Sequence, residues 1–252
     1  MGIQAGSSAV TGVYLGDQLL TKGGEVTIKT LAEMAPGPSE LKGGDWDCGY
    51  FGAPTTAEMG TITGTGTSAD GQPITAKSLA TATSFTAGYW QNNDIIWHKF
   101  VFKGEIIYVA QKPVRQNVTY KMLADLGLIL GGTILKTTTA NYRVTLLKGA
   151  DPDLPPYSGS YGVTNSEWNK LILSLSKSNS TYTFGSGLTD NDLGFKDQSG
   201  NDKYSWVKEI MYMTSSSQET YALVRSGMYR LSVWCTNNES RYVWRPALRF
   251  TL

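Results

Sequence analysis

Short apolar runs, some alternating with polar residues and some continuous, recur along the chain between glycine, proline and threonine. They predict strands far more often than helices. The clearest pair is Ile95-Ile96-Trp97-His98-Lys99-Phe100-Val101-Phe102 and Glu105-Ile106-Ile107-Tyr108-Val109-Ala110, joined by Lys103-Gly104. Two β-rich runs on a two-residue turn containing glycine predict an antiparallel hairpin. Pro113 ends the second strand, because it has no N–H to give to a ladder. Residues 141–147 alternate for a third long strand, and residues 10–20, broken at Gly16-Asp17, predict a small hairpin. Further on, 221–224, 229–234 and 242–250 predict short strands, the last interrupted at Pro246.

Helical periodicity is confined to short pieces. Thr75 is placed to cap a helix over 76–82, and Thr119 one over 120–126, with Gly127 supplying the left-handed residue beyond its end. Thr164-Asn165-Ser166-Glu167 reads as a capping box, followed by Trp168, Leu171, Ile172 and Leu175 on one helical face. Glu167 is therefore assigned to capping rather than to acid catalysis. Residues 34–70 are rich in Pro, Gly, Thr and Ala and too long for a connection within a compact domain. The organisation expected is an N-terminal strand and extended docking arm over 1–72, then a compact domain over 73–252. The fold class expected is α+β and β-rich, with mostly antiparallel strands and two or three short helices.

Composition narrows the function. Charged residues are only 17% of the chain, against 28 glycines and 14 tyrosines, so the surface is polar but sparsely charged, as in fibres, lectins and shell proteins. A formal net charge of +1 leaves no electrostatic footprint for nucleic acid. No apolar run reaches the length of a membrane span, and the N-terminus lacks the basic and apolar regions of a signal peptide, so no membrane insertion is expected. Cys48 and Cys235 read as small buried hydrophobes rather than a disulfide framework.

Catalytic chemistry is scarce. His98, the single histidine, sits in mid-strand, and no two-histidine metal motif is possible. Asp190-Asn191-Asp192, with Gly194 and Asp197, comes nearest to a calcium loop but lacks the closing bidentate glutamate and reads as an Asx-type turn. No acidic pair has the apolar setting that a glycan hydrolase needs, so neither enzyme activity nor a cofactor is expected. Trp97, Trp168, Trp234 and Trp244 lie on predicted elements and are assigned to the core. Trp46, Tyr89, Trp90, Tyr157 and Tyr161 lie in loops beside small polar residues, a composition suited to adaptable binding, and are the candidate surface contacts.

Four blocks carry a family resemblance: Tyr142-Arg143-Val144-Thr145-Leu146-Leu147-Lys148-Gly149, Ser166-Glu167-Trp168-Asn169-Lys170-Leu171-Ile172, Arg225-Ser226-Gly227 and Trp244-Arg245-Pro246-Ala247-Leu248. In this order they resemble a domain of tailed-bacteriophage virion structural proteins. The resemblance implies a non-enzymatic, multi-copy component of a tail, fibre or head appendage, assembled in the host bacterial cytoplasm. Its implied partners are other copies of itself and other virion proteins; the alternative it implies is a module that binds a host-surface glycan or receptor. Arg225-Ser226-Gly227 with Trp244-Arg245-Pro246 is also similar to the ending of C-type-lectin-like and formylglycine-generating-enzyme-like folds. That likeness implies a lectin-like C-terminal part in which Arg225 and Arg245 are structural, buried and hydrogen-bonded. The cysteines of the formylglycine enzymes are not in place, so their activity is not implied.

Overall fold

A computed structural model of the 252-residue chain describes residues 12–15, 18–22, 27–150, 165–178, 184–197, 199–212, 220–226, 231–236 and 238–252. β1 (Gly12–Leu15) and β2 (Gln18–Lys22) form a two-stranded sheet of their own, with Leu15 opposite Gln18; the expected break at Gly16-Asp17 lies outside the described residues. Then follow α1 (Ile28–Met34), β3 (Gly43–Gly44), β4 (Cys48–Gly52), α2 (Thr56–Met59), α3 (Ala76–Ala82), β5 (Tyr89–Trp90), β6 (Trp97–Phe102), β7 (Glu105–Ala110), β8 (Arg115–Val118), α4 (Tyr120–Asp125), β9 (Leu130–Lys136) and β10 (Asn141–Thr145). A π-helical turn (Trp168–Ile172) runs into a 3-10 turn (Leu173–Leu175), and the chain ends with β11 (Ser205–Tyr212), β12 (Thr220–Arg225), β13 (Leu231–Thr236), β14 (Tyr242–Trp244) and β15 (Ala247–Thr251). The protein is α+β and β-rich. Its seven-stranded sheet has the order β3-β4-β6-β7-β15-β10-β9, and its six-stranded sheet the order β13-β12-β11-β14-β8-β5. Among the described strands every pairing is antiparallel except β11 with β14, and the isolated Ser176–Leu188 bridge is also parallel.

The β6–β7 hairpin closes on Lys103 (φ 48) and Gly104 (φ 81), the two left-handed residues of a type I′ turn. Its strands are buried on both faces because the period of two feeds two separate cores. Ile106, Tyr108 and Ala110 enter one core, with Phe51, Val101, Tyr142, Leu248, Trp206 and Trp244. Ile107 and Val109 enter the other, with Tyr50, Phe100, Phe102, Ala247, Trp168 and Leu171.

The boundary expected at residue 73 does not divide these cores. Residues 34–70 contribute β3 and β4, hydrogen-bonded to β6, and bury Ala35, Phe51, Met59, Ile62 and Ala69 with the rest. The arm is held down by a buried cation. The Lys99 ammonium on β6 donates to the carbonyls of Ala32 (2.8 Å) and Ala35 (2.7 Å) at the end of α1 and to that of Gly37 (3.4 Å) just beyond it. Burial pulls Lys99 down to about 8, opposed by Glu58. Tyr108 adds a bond from its hydroxyl to Pro36 O at 2.7 Å. Among the described residues, no helix is long and apolar enough to cross a membrane.

Candidate functional site

Of the five candidate aromatic residues, the fold places Tyr89 and Trp90 together in β5, an outer strand paired with Arg115 and Gln116 of β8. Tyr89 is 65% exposed and Trp90 47%. The Trp90 ring stacks on the buried Arg115 guanidinium at 4.1 Å, and the same group donates to Phe85 O (3.1 Å), Thr86 O (2.8 Å) and Gly88 O (3.0 Å). Arg115 thus winds the 85–90 loop around itself and fixes the exposed pair. Trp46 lies apart, in the turn between β3 and β4 of the other sheet, with its ring 5.9 Å from Phe51. Tyr157 and Tyr161 lie outside the described residues.

Beside β5 runs a polar groove made of two cavities of about 510 and 560 Å³, which share Gln116, Asp197 and Lys203. Tyr204, Tyr242, Val243, Arg241 and Asp202 line the first; Gln91, Asn92, Lys112, Asn191 and Lys196 line the second. In the β5–β8 ladder Tyr89 faces Gln116, so both side chains stand on the groove side of the sheet. The opposite wall is the 189–203 loop, shaped by its own acids. Asp192 accepts from Thr189 N and Oγ1 (2.8 and 2.7 Å), Asp190 from Ser176 Oγ (2.9 Å), and Asp197 from Ser199 N and Asn201 N (2.8 and 2.9 Å). These bonds hold the Asp192 and Asp197 carboxyls below their ordinary values, through Thr189 and Asn201 first. Gly194, at φ 62, brings the loop so close to Pro113 that an added Cβ would stand 2.8 Å from its Cδ. The acids nearest to a calcium pattern are therefore spent on turns, and no cluster of three metal-ligating side chains occurs among the described residues.

None of the groove lysines or amides could be singled out from sequence. Gln91, Lys112, Gln116, Asn191, Lys196 and Lys203 carry no local motif, and only the folding of the 189–203 loop over the sheet brings them together.

His98 has a structural job. Gln111 gives its Nε2 to Asp192 O (2.9 Å), which turns its Oε1 toward His98 Nε2 (2.9 Å). His98 must therefore donate from Nε2, leaving Nδ1 to accept from the Tyr50 hydroxyl at 2.9 Å. This neutral ring ties β4 and β6 to the 189–203 loop. Burial pushes its pKa down to about 4, with Gln111 opposing and Arg245 adding to the effect. The unfolded chain, titrating near 6.5, takes up this proton first. Stability is therefore whole above about pH 6.5 and falls as the pH drops toward 4, by about 3 kcal/mol. Urea denaturation across that range is expected to show the loss in the native chain and a flatter dependence in His98→Asn. Parallel pH profiles for the two proteins would refute the assignment.

Cys48 is half-buried, its Sγ 4.0 Å from Lys170 O, and burial pushes its thiol up to about 11. The Cys235 side chain lies outside the described residues.

Glu167 has partners that the capping pattern does not show: its carboxylate accepts from Lys148 N (2.8 Å) and pairs with Arg249 Nη2 (2.7 Å), with Glu167 and Arg249 both buried, and it makes no cap bond to a described residue. Thr164 lies outside the described residues. The turn that follows is π-helical and then 3-10, although Trp168, Leu171, Ile172 and Leu175 are all buried as their spacing requires.

These contacts belong to one junction, where the four blocks of the family resemblance meet. Arg225 reaches from β12 to Gly149 O and to Asn169 Oδ1 (2.6 Å), while Trp168 Nε1 donates to Ser226 O (3.2 Å). Arg245 donates to Ala110 O (2.9 Å), Gln111 O and Leu193 O (2.5 Å), with its guanidinium 5.6 Å from the Trp168 ring and 5.2 Å from that of Phe195. Both arginines are buried against carbonyl oxygens, as structural residues would be. The junction carries a smaller cavity of its own, about 220 Å³ beside Lys148, Ser166 and Glu167, and Arg245 links it to the loop that walls the groove. No protein-family model matches the chain, and no curated protein or solved structure matches it either.

Proposed function

We propose that the chain is a non-enzymatic structural component of a tailed-phage virion, present in many copies on a tail, fibre or head appendage. The observation that carries this reading is the junction just described. The four blocks that resemble the phage domain lie on separate elements, yet they hold one another through Lys148–Glu167, Gly149–Arg225–Asn169, Trp168–Ser226 and Arg245–Trp168, with Arg249 just beyond the last block pairing with Glu167. That the blocks pack together supports reading them as parts of one domain, and the carbonyl-bound Arg225 and Arg245 support a lectin-like C-terminal part. A multi-copy assembly is supported by β9, the outer strand of the large sheet. Leu130 and Ile134 stand exposed on one of its faces, with no charge between them to guard the edge.

The test has two parts. Immunogold labelling of phage particles from the strain that encodes the chain is expected to decorate an appendage. Light scattering is expected to give a homo-oligomer that Ile134→Lys shifts toward monomer. Unlabelled particles together with a monomer at every concentration would sink the reading.

The groove favours a second role for the same appendage, binding of a host-surface glycan. Exposed aromatic faces beside amides and hydroxyls suit the apolar faces and hydroxyl rims of sugar rings.

A further inference from the structure

We propose that the groove beside β5 takes an acidic saccharide, a chain of sugar rings bearing carboxylates, an inference that rests on the glycan-binding reading. The second cavity carries the charge: Lys112, Lys196 and Lys203 line it against a single acid, Asp197, whose carboxylate is turned into its own loop. Lys196 is paired with Asp202 at 2.5 Å and Lys203 donates to Gln91 Oε1 at 2.5 Å. Lys112 makes no hydrogen bond or ion pair with a described residue. The Lys203 ammonium loses affinity for its proton through burial, against the opposing pull of Asp197, and Lys112 depresses it further. Lys112 and Lys203 both line this cavity, so a carboxylate bound in it meets two ammonium groups.

The rest of the lining suits sugar hydroxyls. Gln116 and Asn191 make no side-chain hydrogen bond with described residues, and Asn92 uses its Nδ2 on Pro113 O (2.8 Å), leaving its Oδ1 to a ligand. Tyr204, Tyr242 and Val243 supply apolar surface in the first cavity, and Tyr89 stands exposed beside it. Each cavity falls within the roughly 300–1,000 Å³ of a small-ligand site, and the two adjoin at Gln116, Asp197 and Lys203. A nucleic acid is a poorer fit, because the chain as a whole carries only +1.

The experiment is calorimetry of the full chain with tetragalacturonate and with a neutral galactan tetrasaccharide of the same length. The acidic sugar is expected to bind about tenfold tighter, the equivalent of one charge-assisted contact, and to weaken as salt is raised. Lys112→Gln is expected to remove most of that preference with no change in thermal stability. Tyr89→Ala is expected to weaken both sugars about two- to tenfold. Equal binding of the two sugars would overturn the acidic assignment and leave the glycan reading standing. Failure of both sugars overturns the assignment as well; labelled chain on intact host cells, with Tyr89→Ala as control, then decides separately whether glycan binding survives. A sulfated oligosaccharide that outcompetes the galacturonate would also overturn the carboxylate assignment.

Discussion

Replacing Arg249 by leucine is expected to destabilise the protein by about 3–5 kcal/mol, because it strands a buried carboxylate. Arg249 and Glu167 are almost fully buried, and their contact is 2.7 Å. Burial works against the guanidinium charge, but Glu167 and then Glu105 outweigh it and hold Arg249 above its ordinary pKa. Glu105 keeps 43% of its side chain exposed, so its share of the pair is screened and adds little. The decisive loss is that of Glu167, which among the described residues would keep the Lys148 amide as its hydrogen-bond donor and the more distant attraction of the Lys208 ammonium. The double variant Arg249→Leu/Glu167→Leu should recover much of the stability, since a buried ion pair can be replaced by apolar side chains at small cost. Urea unfolding of the two variants makes the comparison. Equal destabilisation would mean that packing, and not an uncompensated charge, accounts for the loss.

The second large effect is expected at Trp168. Its side chain is 1% exposed, packs 5.9 Å from Phe195 and lies under the Arg245 guanidinium. Trp168→Ala removes the ring that Arg245 stacks on, opens a cavity in the second core and leaves Ser226 O without the indole donor, a sum of about 3–5 kcal/mol. Trp168→Phe keeps a ring face and loses the hydrogen bond, so it should cost roughly 1–3 kcal/mol. Thermal unfolding of both variants is the measurement. A phenylalanine variant as unstable as the alanine one would show that the indole N–H, not the ring, holds the junction.

Sequence made the regular parts of this fold legible. The Lys103-Gly104 turn, the helix at 76–82 with Thr75 as its cap, the helix from Tyr120 with its Thr119 cap, and the break at Pro246 all follow from local chemistry. What failed was whatever a partner decides. β4 is interrupted by Gly49 and Gly52, and β9 by Gly131 and Gly132, so the strand signal of each is too short to read alone, and each is completed by the ladder beside it. α1 and the chain after it looked like an arm because the lysine that holds them lies in β6. Glu167 has the spacing of a cap, and no local pattern shows its buried arginine partner from β15. At the groove, Tyr89 and Trp90 were visible as loop aromatics beside polar residues, while the lysines and amides were not, because their grouping exists only in three dimensions.

The position of β15 also governs how the protein is made. It lies between β7 and β10, pairing Leu248 with Tyr108 on one side and with Val144 on the other. During synthesis the β6–β7 hairpin and the β9–β10 pair can form from neighbouring residues, but the sheet that joins them waits for 247–251 to leave the ribosome. Until then β7 and β10 each present an open edge to other nascent chains. Pairings this distant in sequence are slow to form, and a waiting edge is a template for misassembly, so the last strand acts as the fastener of the large sheet.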